Sequence, residues 1–167
     1  MTSFFPDIFI ENLSALDLEA LRERGIKGLL VDIDNTLVKR SEPKPSAEAM
    51  RFLGIVKEKD FAIAIVSNNS RTRVTEFAAE LGVIAVHRAC KPLRRRLRFA
   101  AKQLGLRCGE VAMVGDQIFT DVCGGNRCGM FTVLVEPIVE SETLTFKVKR
   151  YFEKIVLDRY EKSGRKR

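Results

Sequence analysis

The sequence predicts an α/β protein with a doubly wound parallel sheet. Short, continuous apolar runs rich in Val and Ile alternate along the chain with segments of helical spacing. Continuous apolar strands are typical of a parallel sheet that is covered on both faces, because neither face meets water. Right-handed crossovers between such strands place helices on both sides of the sheet.

Capping and turn residues set the bounds of the elements. Ser46 with Glu48 in the first turn predicts a helix start, Gly82 and Gly105 predict helix ends, and Pro92 predicts a first turn. The predicted helices span residues 46–59, 71–81, 92–104 and 118–127. The predicted strands span residues 28–33, 61–67, 83–86, 111–115 and 131–135.

The two ends of the chain are predicted to flank one central domain. We assign residues 1–24 to an N-terminal segment with a helix over 14–23, residues 25–160 to the domain and 161–167 to a basic, disordered tail. The Phe residues of the first segment either pack on the domain or contact lipid. A final amphipathic helix, which either packs on the sheet or meets an anionic membrane, is predicted from Leu144, Val148, Tyr151, Phe152, Ile155 and Tyr160.

Composition favours a water-soluble domain. Apolar residues make up 46% of the chain and charged residues 31%, and no apolar run approaches the roughly 18 residues that span a bilayer. The first residues lack the basic region of a secretion signal, so we expect the cytoplasm, with peripheral contact at the inner face of the membrane. The four cysteines form no Cys-x-x-Cys pair and there is one His, which argues against structural zinc.

Positive charge is concentrated in two segments of a chain with net charge +7. Residues 87–107 hold eight Lys and Arg and no acid, and residues 147–167 hold nine Lys and Arg and three acids. Such segments favour anionic partners, which are phosphate esters, acidic lipid surfaces or nucleic acid.

Two carboxylates follow the first predicted strand. Asp32 and Asp34 have i, i+2 spacing, so both leave the strand on one side, where a cation between them would offset their repulsion. Taken alone, the pair is equally typical of a turn. Ser67, Lys91 and Asp116 follow three further strands, and ligands bind at such strand ends in doubly wound sheets. The pattern predicts magnesium-assisted phosphoryl transfer to an aspartate.

These segments resemble the four motifs of the haloacid dehalogenase (HAD) superfamily, whose fold is a Rossmann-like doubly wound sheet. The motifs are Asp32-Ile33-Asp34-Asn35-Thr36, Ser67-Asn68-Asn69, Lys91-Pro92 and Gly115-Asp116-Gln117-Ile118-Phe119-Thr120-Asp121. Residues 25–28 and 124–127 are similar to the YqeG-type phosphatases of HAD subfamily IIIA. That family is related to organellar phosphatases that act on phosphatidylglycerophosphate.

The resemblance implies a role for each catalytic position. Asp32 would attack phosphorus, Asp34 would serve as general acid and then general base, and Lys91 would hold phosphate charge. Mg²⁺ would be bound by Asp32, by the backbone carbonyl of Asp34 and by Asp116. Asp121 would support Lys91 or the outer shell of the metal.

The same resemblance implies three substrate-binding positions. The Ser67 hydroxyl and the Asn68 amide would contact the phosphate, and Thr36 would orient the loop. Simpler interpretations stay open: residues 67–70 as a helix cap, Lys91 as a solvated charge and Asp121 as a first-turn helix acid.

The chain is predicted to lack a cap domain, because only 34 residues separate Asp32 from Ser67 and 23 separate Ser67 from Lys91. An open site accepts a phosphate on a bulky group, such as an anionic phospholipid headgroup. The family resemblance, together with the capless and basic surface, implies a Mg²⁺-dependent phosphatase of phosphatidylglycerophosphate. The alternatives are a phosphatase of soluble sugar phosphates or nucleotides and a non-catalytic protein that binds RNA or the ribosome, although nucleic acid is disfavoured because no aromatic-interleaved RNA motif occurs.

Overall fold

Six parallel strands form one sheet, which confirms the predicted fold class. The computed structural model describes residues 4–138, 153, 155–160 and 162. The strands are β1 (Ile8–Ile10), β2 (Gly28–Val31), β3 (Ala62–Val66), β4 (Ile84–Val86), β5 (Val111–Gly115) and β6 (Phe131–Val135). Their order across the sheet is β1-β6-β5-β2-β3-β4. The chain thus winds outward from β2 on one side and returns to β5 on the other, which puts the switch point beside β2.

Helices connect these strands, and side chains cap the first three of them. The helices are α1 (Leu18–Glu23), α2 (Ala47–Glu58), α3 (Arg71–Leu81), α4 (Arg94–Gln103) and α5 (Cys123–Cys128). Ser46 caps α2 by accepting a hydrogen bond from the Ala49 amide at 3.1 Å, and Ser70 caps α3. Gly82 ends α3 with a φ of 60°, a left-handed conformation that suits glycine.

Three helix predictions need correction. The predicted helix 92–104 begins at Arg94, because the Leu93 amide donates to the Cys90 carbonyl and closes a turn around Pro92. The predicted helix 118–127 is a π-helical turn, Ile118–Val122, followed by α5. The predicted helix 14–23 is split into a 3₁₀ turn and α1, which starts after its N-cap Asp17.

Strand β1 has no counterpart among the predicted strands. It is three residues long, and it pairs with β6 in a register that joins Phe9 to Leu134. This pairing places part of the N-terminal segment 1–24 within the sheet. The other strands agree with their predicted positions to within two residues.

Side chains of the central strand alternate between two apolar layers. Leu29 and Val31 of β2 belong to the core beneath α2 and α3, which includes Val56 and Phe77. Leu30 belongs to the core on the opposite face, beneath α4. This alternation is the period of two that a strand imposes, and it explains why the strands are apolar without interruption.

A third apolar cluster joins both ends of the described chain to the loop after β5. Phe4 packs edge-on against Phe119 at 5.6 Å between ring centroids, and Phe5 packs against Tyr160 at 5.7 Å. These two Phe residues therefore pack on the domain. Residues 155–160 are helical, as the final amphipathic helix requires.

The rest of the C-terminal prediction lies outside the described residues. It comprises Leu144, Val148, Tyr151, Phe152 and the tail beyond residue 162. Within the described ranges, no helix is both long enough and apolar enough to cross a bilayer.

A pair of glycine substitutions tests the packing of α5 on the sheet. A Cβ at Gly125 would lie 2.6 Å from Thr132 Cγ2 and 3.0 Å from Met113 Cβ, whereas a Cβ at Gly54 of α2 meets no heavy atom within 4 Å. Urea denaturation should show that Gly125→Ala lowers the free energy of unfolding by about 1–3 kcal/mol. Gly54→Ala, the matched control, should raise it by about 0.5–1 kcal/mol because only helix propensity changes. Equal effects of the two substitutions would contradict the close packing of α5.

Candidate active site

Residues from four strand ends meet at one edge of the sheet. Asp32, Ser67 and Asp116 directly follow β2, β3 and β5, and Lys91 follows β4 after a short loop. The strands are parallel and in register, so their carboxyl ends share this edge. A cleft of about 270 Å³ opens there, lined by Asp32, Asp34, Arg40, Ser67, Asn68, Asn69, Lys91, Gln117 and Thr120.

The ammonium group of Lys91 is the ionic centre of the site. Its Nζ lies 2.8 Å from Asp32 Oδ1, 2.6 Å from Asp121 Oδ1 and 2.9 Å from the Val66 carbonyl. The Lys91 side chain is 2% exposed, so it is not a solvated charge. Burial acts to lower its pKa, but the carboxylates of Asp121 and Asp32 outweigh burial and raise it. Lys91 is therefore a permanent cation beside Asp32.

Burial has the opposite effect on Asp32. Removal from water raises the pKa of the Asp32 carboxyl to about 6; Lys91 opposes this rise, and Asp121 adds to it. Asp32 is ionised at neutral pH, and its negative charge costs free energy in the folded state. A carboxylate that is poorly solvated and points into a cleft is suited to nucleophilic attack.

The side chain of Asn68 fixes the backbone of Lys91. Asn68 Oδ1 accepts from the Lys91 amide at 2.7 Å, and Asn68 Nδ2 donates to the Lys91 carbonyl at 3.1 Å. This two-way contact joins the end of β3 to the loop after β4. Ser67 Oγ accepts from the Asn69 amide at 3.2 Å, which leaves the Ser67 hydroxyl proton available to a ligand in the cleft.

Three buried carboxylates lie beside Lys91. Oxygen atoms of Asp32, Asp116 and Asp121 all fall within 4.8 Å of one another. Lys91 forms ion pairs with two of them, Asp32 and Asp121, so carboxylates outnumber ammonium groups among these four side chains. Oxygen donors with surplus negative charge fit a hard divalent cation, which would neutralise the cluster.

Gly115 makes room for Asp121 in this cluster. A Cβ at Gly115 would overlap the carboxylate of Asp121, which is fully buried and paired with Lys91. Asp121 Oδ2 also accepts from the Gln117 amide at 3.2 Å. Asp121 is thus an acid in the first turn of its helix, as the simpler interpretation has it, and it is also a buried ion-pair partner of Lys91.

Asp34 is held away from the buried cluster by two side chains. Its Oδ1 accepts from Arg73 Nε at 3.2 Å and from Arg73 Nη2 at 2.7 Å, and its Oδ2 accepts from Asn69 Nδ2 at 2.9 Å. The loop around Asp34 is tight: Asn35 has a φ of 61° and its amide donates to the Val38 carbonyl at 2.7 Å. Asn tolerates this left-handed conformation better than most residues.

The structure brings most of the predicted site residues to the cleft. Five line it, and they are Asp32, Asp34, Ser67, Asn68 and Lys91. Asp116 and Asp121 are fully buried next to Asp32. Thr36 is also buried and does not line the cleft, and the described residues offer its hydroxyl no hydrogen-bond partner.

Sequence analysis missed several residues of the site. They are Arg40 and Arg73, together with Asn69, Gln117 and Thr120, which lie within the motifs but were assigned no role. Arg73 is in the first turn of α3, and the first turn of a helix that follows a parallel strand lies at the carboxyl edge of the sheet. Its position on the predicted helix was therefore a usable signal, whereas Arg40 lies in a loop without such a signal.

The chain belongs to the haloacid dehalogenase-like hydrolase family, whose model matches residues 10–129. It is 34% identical over 161 residues to "Probable phosphatase YqeG" of Bacillus subtilis, with 96% of this chain and 94% of that protein aligned. The family and this likeness identify the chain as a phosphatase, an enzyme that acts on phosphate esters.

Two further relatives are longer than this chain. It is 31% identical to "Phosphatidylglycerophosphate phosphatase 1, chloroplastic/mitochondrial" of Arabidopsis thaliana, covering 96% of this chain and 49% of that protein. It is 28% identical to the chloroplastic protein of that name from Chlamydomonas reinhardtii, covering 81% of this chain and 54% of the relative. The chain thus spans about half the length of these two relatives.

Solved structures share the fold. The cobalt-bound deoxy-D-mannose-octulosonate 8-phosphate phosphatase YrbI of Haemophilus influenzae superposes with a TM-score of 0.55 at 15% identity, covering 84% of this chain and 92% of that one. An uncharacterized protein from Listeria monocytogenes gives a TM-score of 0.56 at 21% identity, covering 71% and 85%. At these identities the likeness concerns the fold.

The burial of the charged Asp32 carboxylate should lower the stability of the wild-type protein. Asp32→Asn, measured by thermal and urea unfolding in EDTA at pH 7, should raise the free energy of unfolding by about 1–3 kcal/mol, because a neutral amide is less costly to bury than a charge and Asp121 remains paired with Lys91. The folded pKa exceeds the unfolded one, so the cost of the charge develops as pH rises from about 4 to about 6. The increase in the free energy of unfolding caused by Asp32→Asn should therefore be small at pH 4. A variant less stable than the wild type at pH 7 in EDTA would contradict this account.

Proposed function

We propose that this phosphatase transfers the phosphoryl group of a monoester first to Asp32 and then to water. The observation that carries the proposal is the position of Asp32: it faces the cleft from the end of the central strand, with Lys91 Nζ at 2.8 Å. Attack by an Asp32 oxygen on phosphorus would form an aspartyl phosphate and break the bond to the leaving oxygen. Lys91 would hold the negative charge of the transferring group.

Asp34 supplies the proton transfers in this proposal. It would give a proton to the leaving oxygen and then accept one from the water that attacks the aspartyl phosphate, which releases phosphate and restores Asp32. The Ser67 hydroxyl and the backbone amide of Asn68 would donate to phosphate oxygens. Thr36, which is buried, would orient the loop.

Mg²⁺ is the proposed cofactor. Carboxylates of Asp32 and Asp116 would hold it together with the backbone carbonyl of Asp34, while Asp121 serves Lys91. A bound divalent cation supplies charge neutralisation at the phosphate oxygens. The support for this site is the surplus of buried carboxylate beside the cleft.

For the substrate we propose phosphatidylglycerophosphate, which would be converted to phosphatidylglycerol. The names of the plant and algal relatives favour this lipid. The short connections after β2 and β3 favour it too, because they leave the cleft open to a phosphate attached to a bulky body. A phosphate at a membrane surface requires such an open site.

A rim of apolar and basic side chains supports contact with an anionic bilayer. We define the rim as Arg40, Leu93, Arg94 and Ile138. Leu93 is 57% exposed two residues after Lys91, and Ile138 is 46% exposed with its amide bonded to the Asn35 carbonyl. Arg40 lines the cleft, and Arg94 opens the basic helix α4. Exposed apolar groups beside basic ones are typical of proteins that bind the membrane interface peripherally, here at its cytoplasmic face.

Loss of the nucleophile or the metal should abolish turnover. Asp32→Asn should lower kcat by about 10³-fold or more while the fold survives, because the carboxylate that forms the intermediate is gone. EDTA should remove wild-type activity and Mg²⁺ should restore it. The measurement is phosphate release from p-nitrophenyl phosphate, with circular dichroism as the check on folding. Activity retained by either preparation would overturn this mechanism.

A comparison of lipid and soluble esters tests the substrate. Phosphatidylglycerophosphate in mixed micelles should be hydrolysed with a kcat/KM at least 10-fold above that of glycerol 3-phosphate. Leu93→Asp and Ile138→Asp should reduce turnover of the micellar lipid and leave turnover of p-nitrophenyl phosphate unchanged, because these two rim residues do not line the cleft.

Ile55→Asp is the matched control for the rim variants. Ile55 is 44% exposed in the last turn of α2, at the end of that helix away from the cleft. Its substitution should therefore change the turnover of neither the micellar lipid nor p-nitrophenyl phosphate. If the wild-type enzyme hydrolyses glycerol 3-phosphate as fast as phosphatidylglycerophosphate or faster, the lipid is not its preferred substrate.

A further inference from the structure

Two side chains to which the motifs assign no role hold the carboxylate of Asp34: Arg73, which lies outside the motifs, and Asn69, which lies within the second one. Arg73 donates two hydrogen bonds to Oδ1, from Nε at 3.2 Å and from Nη2 at 2.7 Å, and Asn69 donates one to Oδ2 at 2.9 Å. The side chains of Arg73 and Asp34 are 18% and 17% exposed, so the pair is largely shielded from water. A shielded, two-pronged ion pair restricts the orientation of a carboxylate far more than a solvated one does.

These contacts distinguish the two oxygens of Asp34. A carboxylate oxygen has two lone-pair positions. Both positions on Oδ1 are occupied by N–H groups of Arg73, whereas Asn69 occupies one position on Oδ2. The remaining position on Oδ2 is free to exchange a proton, and Asp34 lines the cleft.

We infer that Arg73 is a positioning residue, which turns Asp34 so that Oδ2 is the oxygen that gives and receives the proton. This inference rests on the proposed function, in which Asp34 acts as general acid and general base. In the first step the bond from phosphorus to the ester oxygen breaks, and that oxygen takes the proton from Oδ2. In the second step Oδ2 takes a proton from water as the water oxygen attacks phosphorus and the bond to Asp32 breaks.

The placement of Arg73 in the fold supports a positioning role. Arg73 is the third residue of α3, and its amide donates to the cap residue Ser70 at 3.4 Å. The helix start therefore anchors the Arg73 backbone while its side chain reaches the loop after β2. Arg73 does not line the cleft, so it acts through Asp34 and not on the substrate.

Leaving-group dependence separates positioning from a purely structural role. An ester with a poor leaving group needs the proton from Asp34, and p-nitrophenyl phosphate, whose leaving group is a stable anion, needs it far less. The ratio kcat/KM reports the steps up to transfer of the phosphoryl group to Asp32. Arg73→Ala should lower kcat/KM about 10- to 100-fold for an alkyl phosphate and less than about 3-fold for p-nitrophenyl phosphate.

Two further variants complete the experiment. Arg73→Lys keeps the positive charge but lacks the paired N–H groups of the guanidinium. Its kcat/KM for the alkyl phosphate should therefore fall between those of the wild type and Arg73→Ala. Arg71→Ala removes an exposed Arg from the same helix turn and should leave both esters unaffected. Thermal unfolding of each variant confirms that it is folded.

The possible results separate the inference from the proposed function. Equal losses of Arg73→Ala on both esters, or full rescue by Arg73→Lys, would show that Arg73 only stabilises the fold and would overturn the inference. A wild-type enzyme that hydrolyses neither ester, or one that keeps its activity as Asp32→Asn, would instead overturn the proposed function.

Discussion

The ion pairs of Lys91 are the constraint on which the rest of the site depends. An ammonium group that is 2% exposed must be neutralised within the protein, and Asp32 and Asp121 do this at 2.8 and 2.6 Å. To bring these three residues together, the ends of β2 and β4 and the π-helical turn after β5 must meet at one point. The chain achieves this with two devices: Asn68 holds the backbone of Lys91, and Gly115 leaves the space that the Asp121 carboxylate occupies.

The buried charges of this cluster lower the stability of the folded protein but suit the chemistry of a phosphatase. Three carboxylates crowd one ammonium group, and burial raises the pKa of Asp32 to about 6. Such a cluster persists because the apolar layers on both faces of the sheet fix the strand ends that carry it. Rigid strand ends keep the charged groups in place when the cleft is empty, so little reorganisation is needed when a phosphate arrives. The carboxylate of Asp32 is thus held in place by the fold itself.

The sequence was sufficient for the parts of the structure that depend on local pattern. The apolar strands, the cap at Ser46 and the polar residues at strand ends predicted the sheet and most of the site. Strand β1 escaped prediction because its three residues gain their structure from pairing with β6, more than 120 residues along the chain. The π-helical turn was taken for α-helix because a five-residue stretch carries no distinct periodicity. Arg73 was missed because its contact with Asp34 forms only when α3 meets the loop after β2.

Strand β1 has a consequence for the association of this protein with itself. It pairs with β6 and so covers the N–H and C=O groups along that side of β6. A strand edge without such cover is a template for pairing with another chain. The segment Ile8–Ile10 thereby protects the protein against aggregation. A chain shortened past residue 10 would expose β6 (Phe131–Val135) as an unpaired edge strand that can pair with another molecule.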